Sequence, residues 1–266
     1  MKPPWMGALT ALLLVAGCRP MPPGEPAGRA PLAVMSSAGF AAAYAELAPE
    51  FERASGTRLT TAYGPSIGTA PDAIPSRMQR GEPVDVVILA SPGLIALIQQ
   101  GKVLADSRVD LARSRIGMAV RAGARRPDIS SVAAFRQALL DARSIAYSDS
   151  VSGIYVSTEL FARLGIADQV RGKATQIQSE RVGNAIARGD AELGFQQISE
   201  LRPVPGIDIV GPIPAELQKI TIFAAAVATH ARDPQAARAL LRFLSSPGAA
   251  PAITRSGLEP VAAPNQ

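Results

Sequence analysis

Short β-rich apolar runs alternate with segments of helical periodicity along most of this chain, and that alternation constrains the fold more than any other feature. The apolar run at 31–35 precedes a helical pattern over 40–55, where Phe40, Tyr44, Leu47, Ala48 and Phe51 recur at helical spacing. Gly56 stands where a glycine ends a helix. Residues 58–63 read as a second strand, 72–80 as a helix despite Pro75, and 84–89 as a buried strand. A helix over 91–100 follows, with proline in its first turn. The cycle then repeats, with strands at 116–120, 144–147, 192–196 and 207–210 and helices at 131–141, 154–164 and 179–188. A long apolar run at 219–229 leads to an amphipathic helix over 234–244, capped by Asp233. Strand, loop and helix in repetition predict βαβ units, mainly parallel sheets and the α/β class.

The loops after the strands are built from small hydroxylic and glycine residues: Ser36 and Ser37, then 64–69 with Gly64 and Ser66, then Ser91, then 148–153 with Ser150, Ser152 and Gly153. In open α/β sheets ligands sit beyond the carboxyl ends of the strands. A helix start there offers unpaired N–H groups and a positive dipole end, and serine adds donors in little space. A single such loop is an ordinary helix cap. Four at equivalent ends predict a site for a small anion.

The N-terminus carries a separate signal. Lys2 precedes an apolar stretch of about a dozen residues that ends in Val15-Ala16-Gly17-Cys18. The stretch is shorter than the roughly 20 residues a membrane-spanning helix needs. It reads as an export signal, and the small residues before Cys18 resemble a bacterial lipobox. On this reading Cys18 carries lipid, residues 1–18 are a lipoprotein signal peptide, and 19–31, rich in Pro, Gly and Ala, is a flexible tether. The protein is then expected in the periplasm, held to the membrane by its anchor. Arg19 after the cysteine favours the outer membrane in a two-membrane bacterium.

Composition narrows the chemistry. Cys18 is the single cysteine and His230 the single histidine, so a zinc site or a Ser-His-Asp triad has almost nothing to draw on. Neither GxGxxG nor GxxxxGK[ST] occurs. Net charge is +5, but the basic residues are scattered, which argues against a nucleic-acid partner. No cofactor and no metal is expected, and the folded part is expected to be a monomer.

The loops in this order, with Leu47-Ala48-Pro49-Glu50-Phe51-Glu52, Gly64-Pro65-Ser66, Pro83-Val84-Asp85-Val86-Val87-Ile88, Gly189-Asp190-Ala191-Glu192-Leu193-Gly194 and Leu258-Glu259-Pro260, resemble the periplasmic molybdate-binding proteins of ABC importers. The resemblance implies a type II periplasmic binding protein fold of two α/β lobes. It places lobe one at 32–114 plus 225–266 and lobe two at 115–224, with crossings near 115–120 and 219–228. It implies a ligand closed into the cleft and delivered to an ABC permease. The ligand-binding residues are expected to be Ser36, Ser37, Gly64, Ser66, Ser91, Ser150, Ser152, Gly153, Gln196 and Gln197. Phe195 stands where the family carries a tyrosine that contacts oxyanion, followed by two amides, and this shifts the expectation from molybdate toward an organic polycarboxylate. The same superfamily includes an exported enzyme, aconitate isomerase, that moves a proton on an unsaturated tricarboxylate. Such a reaction needs a base, for which Asp149 and Glu180 are the candidates.

Overall fold

The structure is a computed structural model that describes Met1 and residues 30–261. Cys18, the signal segment and most of the expected tether lie outside the described residues.

Eleven strands are described: β1 (Leu32–Ser37), β2 (Leu59–Gly64), β3 (Val86–Ala90), β4 (Val109–Ser114), β5 (Ile116–Arg121), β6 (Ile145–Ser148), β7 (Ala174–Ile177), β8 (Leu193–Gln197), β9 (Ile207–Pro212), β10 (Thr221–Val227) and β11 (Glu259–Pro260). They form two sheets, in the orders β11-β4-β10-β3-β1-β2 and β7-β6-β8-β5-β9. Pairing is parallel where helices connect consecutive strands, at β1 with β2 and β3 and at β6 with β7 and β8. The strands next to the crossings, β10, β4, β5 and β9, add antiparallel pairs, so both sheets are mixed rather than mainly parallel.

Alternation along the strands feeds two faces of each sheet. In β3, Val86, Ile88 and Ala90 pack with Phe40, Tyr44 and Leu47 of the helix Ala38–Ser55 and with Leu240 and Leu244 of the helix Pro234–Leu244. Val87 and Leu89 turn the other way, onto Ile74, Leu94 and Leu97. The second sheet is sandwiched likewise, with Phe135, Leu139, Leu160 and Val170 on one side and Val182, Ile186 and Leu201 on the other. Each fully buried Leu, Ile or Phe contributes on the order of 2 kcal/mol. That packing, more than intrinsic propensity, holds the short helices in place.

The chain crosses between the sheets at Arg115 and returns through residues 213–220. The return is braced by Tyr155, whose hydroxyl donates to the Leu217 carbonyl at 2.5 Å and accepts from Arg163 at 2.9 Å. β10 pairs with the first sheet from Thr221 onward, so residues 221–224 belong there and not with the second lobe, and the return crossing precedes β10. Periodicity does not predict β4, β7, β11 or the short helix Ile198–Leu201. β11 and this helix span only two and four residues, too few to establish a period.

Candidate functional site

The carboxyl ends of the parallel strands from both sheets meet at one cavity of about 210 Å³. Sites for drug-sized ligands usually measure roughly 300–1,000 Å³, so this one suits a small molecule. Ser37 at the end of β1, Gly64 and Tyr63 at the end of β2, Ser66 and Ala90 line it from the first sheet. Ser148, Asp149, Ser150, Val151, Ser152, Ser179, Glu180, Arg181, Gln196, Gln197 and Glu200 line it from the second.

The expected residues divide into two groups. Ser37, Gly64, Ser66, Ser150, Ser152, Gln196 and Gln197 all come to the cavity. Ser36, Ser91 and Gly153 do not line it. Ser36 is fully buried and donates to the Ser37 carbonyl at 3.2 Å. Ser91 accepts from the Arg108 guanidinium at 2.9 Å. Gly153 lies in the first turn of a helix, not in a loop, because the helix begins at Val151. A Cβ at Gly153 would overlap the Ser148 carbonyl oxygen, so its role is close packing of the helix start against β6.

Local chemistry explains how each wall is held. Ser37 caps the helix Ala38–Ser55 by accepting from Gly39 N–H at 3.3 Å. Ser66 accepts from Ala90 N–H at 2.9 Å, which ties the 64–69 loop to the end of β3 and leaves the hydroxyl hydrogen to point elsewhere. Ser148 shares hydrogen bonds with the hydroxyls of Ser150 (2.9 Å) and Ser152 (3.4 Å). The helix that starts there runs on through a π turn at Val156–Leu160 to Arg163. Its cap residue, Ser150, makes no side-chain capping bond, so the first N–H groups of this helix, which starts at the cavity wall, lack that partner. Ser179 is the one non-glycine described residue with positive φ, at 58°. Such backbone is costly and gathers at functional sites.

The two glutamines act differently from expectation. Gln196 Oε1 accepts from Val182 N–H at 2.9 Å, so its carbonyl end is committed within the wall. Gln197 donates from Nε2 to Thr221 Oγ1 at 2.9 Å, a link between the two sheets. Its Oε1 is buried without a partner. Phe195 points into the core, edge-on to Phe135 at 5.8 Å between ring centres, so the phenylalanine at this position has no part in the cavity.

Three charged groups outside the expected set complete the site: Asp72, Arg181 and Glu200. Glu200 is the most perturbed. It is 6% exposed, on the short helix Ile198–Leu201 that leaves β8. Burial pushes its carboxyl up to about 7, against the pull of the Arg181 charge, the Gln196 amide and the Gln197 backbone N–H. Asp149 raises it a little further. Of the two carboxylates named as candidate bases, Glu180 is exposed and held below the usual range by hydrogen bonds from Arg188, at 2.7 and 2.9 Å. Asp149 is half-buried at the cavity wall. His230 is exposed in the turn after β10 and does not line the cavity. Among the described residues, no group of three or more His, Cys, Asp or Glu side chains is arranged to hold a metal ion.

Comparison with known proteins follows the same outline. The family model of a bacterial extracellular solute-binding protein matches residues 32–259. An aconitate isomerase from Pseudomonas sp. is 49% identical over 256 residues, 96% of each chain. The molybdate-binding protein of Azotobacter vinelandii is 26% identical over 238 residues, 84% of this chain and 88% of that one. Among solved structures, the periplasmic molybdate-binding protein of the same organism superposes with a TM-score of 0.70 at 20% identity, covering 88% of this chain and 100% of that one. A periplasmic thiamin-binding protein gives 0.69 at 16% identity, over 92% and 88%. These neighbours share the type II periplasmic binding protein fold.

Proposed function

Since the chain belongs to the bacterial extracellular solute-binding proteins, we propose that its cleft takes in a small unsaturated tricarboxylate of the aconitate type and isomerises it. The observation that carries this reading is the meeting, at one cavity, of an anion-binding helix start and carboxyl groups. A carrier of anions needs the first and is hindered by the second. An enzyme that moves a proton on an anion needs both. The 49% identity to an aconitate isomerase over 96% of both chains supports the same choice.

The geometry divides the work among this chain's own residues. The helix start at Val151, with the Ser150 and Ser152 hydroxyls, receives one carboxylate of the ligand through N–H and O–H donors. Arg181 supplies a guanidinium to a second. Ser37, Ser66 and Tyr63 face these groups from the first sheet. Burial raises the Tyr63 hydroxyl pKa, which keeps it protonated and a donor. Separated anchors suit a ligand whose carboxylates are spread along a carbon chain. The carboxylates of Asp72 and Asp149 disfavour a compact dianion that must sit close to every wall.

The reaction itself needs no net change of atoms. Loss of a proton from the saturated CH₂ leaves an allylic carbanion conjugated with carboxylates. Its electron pair shifts, and a proton is added at the former vinylic carbon. The double bond has then moved one position, and the cis and trans forms interconvert. Donors aimed at the carboxylate oxygens stabilise the charge that develops there. Purified protein incubated with cis-aconitate should produce trans-aconitate until a fixed ratio is reached. A mixture unchanged beyond the protein-free control would remove the reading.

A second reading, delivery of an anion to an ABC permease without chemistry, rests on the relationship to the molybdate-binding protein. A thermal-shift panel of molybdate, sulfate, citrate and both aconitates separates the two. A ligand at 100 times its Kd adds about 2.7 kcal/mol. Response to molybdate alone would favour the carrier. Location completes the proposal: an exported protein tethered through lipid on Cys18. Replacing Cys18 with alanine should release it from the membrane fraction, and unchanged attachment would exclude the anchor.

A further inference from the structure

We propose that Glu200 is the catalytic residue that takes the proton from the ligand's carbon and gives it back. The inference rests on the isomerase reading above and assigns the residue that reading leaves open.

The case is geometric first. Four carboxyl groups line the cavity: Asp72, Asp149, Glu180 and Glu200. A base for a weakly acidic carbon must be shielded from bulk water, unpaired by a neighbouring cation and fixed in direction. Glu180 fails the first two requirements, being exposed and held by the Arg188 guanidinium. Asp72 and Asp149 are half-buried and open to solvent. Glu200 is 6% exposed yet still reaches the cavity wall. Its helix leaves β8 directly, with Gln197 as the cap residue, so the backbone that carries it is anchored to the sheet. Gln196 is fixed in turn, because Val182 N–H donates to its Oε1 at 2.9 Å.

A purely structural role explains less. A glutamate at the third position of a helix commonly reaches back to the cap residue's N–H, and Glu200 holds that position. An exposed capping glutamate costs little. A buried one is costly to ionise, and a helix of four residues offers little stability in return. An ionisable group kept at that cost on the wall of a cavity is a functional candidate. Its surroundings also hold both protonation states near neutrality: burial favours the acid, while the Arg181 charge favours the carboxylate. A group that must first accept and then return a proton needs both states within reach.

The Glu200 carboxylate forms an O–H bond as the C–H bond of the ligand's CH₂ breaks. The electron pair spreads over the three-carbon unit and its carboxylates. The Glu200 carboxylic acid, or water that has exchanged its proton, then forms the new C–H bond at the opposite end of the unit. Nothing is oxidised or reduced, and the carboxylate is regenerated.

Glu200→Gln is nearly isosteric and mimics the neutral form already populated near pH 7. It should fold, and it should shift its melting point with trans-aconitate as the wild type does. Its rate of cis-to-trans conversion should fall roughly 10²- to 10⁴-fold. Glu200→Asp, which keeps the carboxyl but withdraws it, should recover part of that loss. For the wild type, kcat/KM should rise as the pH passes through about 7, the value of this carboxyl, and Glu200→Gln should lose that limb. Conversion by Glu200→Gln at more than a tenth of the wild-type rate would overturn the assignment while leaving the isomerase reading in place. A loss explained by KM alone would overturn it too. A wild type that converts nothing would remove the isomerase reading and this inference with it.

Discussion

Gln196 Oε1 accepts from Val182 N–H at 2.9 Å, which ties the end of β8, next to the buried acid Glu200, to the start of the helix Val182–Arg188. The arrangement has a thermodynamic consequence. Burial lifts the Glu200 pKa from 4.5 to about 7 in the folded protein. Between those values the folded state holds a proton that the unfolded state has released. This group's contribution to stability is therefore complete below about pH 4.5 and is lost as the pH rises through 7. The ligand-free protein should lose stability over that interval by a few kcal/mol, and Glu200→Gln should flatten the dependence. Calorimetric melting at pH 5 and pH 8 for both proteins measures it. Parallel curves would contradict the buried, proton-holding state of Glu200.

Ser66→Ala should act on binding and on stability together. Ser66 lines the cavity, and its oxygen takes the buried Ala90 N–H, which leaves the hydroxyl hydrogen to donate elsewhere. A hydrogen bond to a charged partner is worth roughly 1.5–3 kcal/mol, so affinity should fall about ten- to a hundredfold. Stranding the Ala90 N–H should cost a further ~1–3 kcal/mol of folding stability. Titration calorimetry gives the first quantity and denaturant melting the second. Unchanged affinity would place the ligand away from this wall.

Gly153→Ala tests the packing that aims the second wall. The added Cβ meets the Ser148 carbonyl, a backbone atom that cannot yield without moving β6 or the helix start. A loss on the order of 2–3 kcal/mol is expected, with a weakened ligand response. Gly172→Ala is the control, since a Cβ added there would meet nothing within 4 Å. Equal melting points for the two variants would show that the contact is relieved without cost.

Much of this architecture is legible in the sequence because it rests on periodic burial. The helix Ala38–Ser55 shows its Phe40, Tyr44, Leu47 stripe, and the helix Pro234–Leu244 shows its own, capped by Asp233. The serine loops are legible because the carboxyl ends of parallel strands follow from the βαβ order, and seven of the ten expected site residues do converge. The misses have physical causes. Ser36 and Ser37 are adjacent in a strand, so when one faces the cavity the other turns into the sheet. Gly153 reads as loop because a glycine suggests a turn, whereas it lets the helix start press against β6. Phe195 stands out as the occupant of a tyrosine position, but in β8 it points to Phe135 while its neighbours Gln196 and Gln197 line the cavity. Glu200 escapes a reading by periodicity because a four-residue helix has no period to detect. One signal does mark it: a carboxylate three residues beyond the end of a buried strand, at the same topological level as the serine loops.

An isomerising cavity must convert its ligand and not only hold it. The most direct measurement is proton NMR of cis-aconitate in D₂O with the purified wild-type protein. Signals of trans-aconitate should grow at a rate proportional to protein concentration, with deuterium entering the CH₂ position as the carboxyl proton exchanges with solvent. Protein that shifts its melting temperature with aconitate yet leaves the cis signals unchanged and undeuterated over many hours would contradict isomerisation by this cleft.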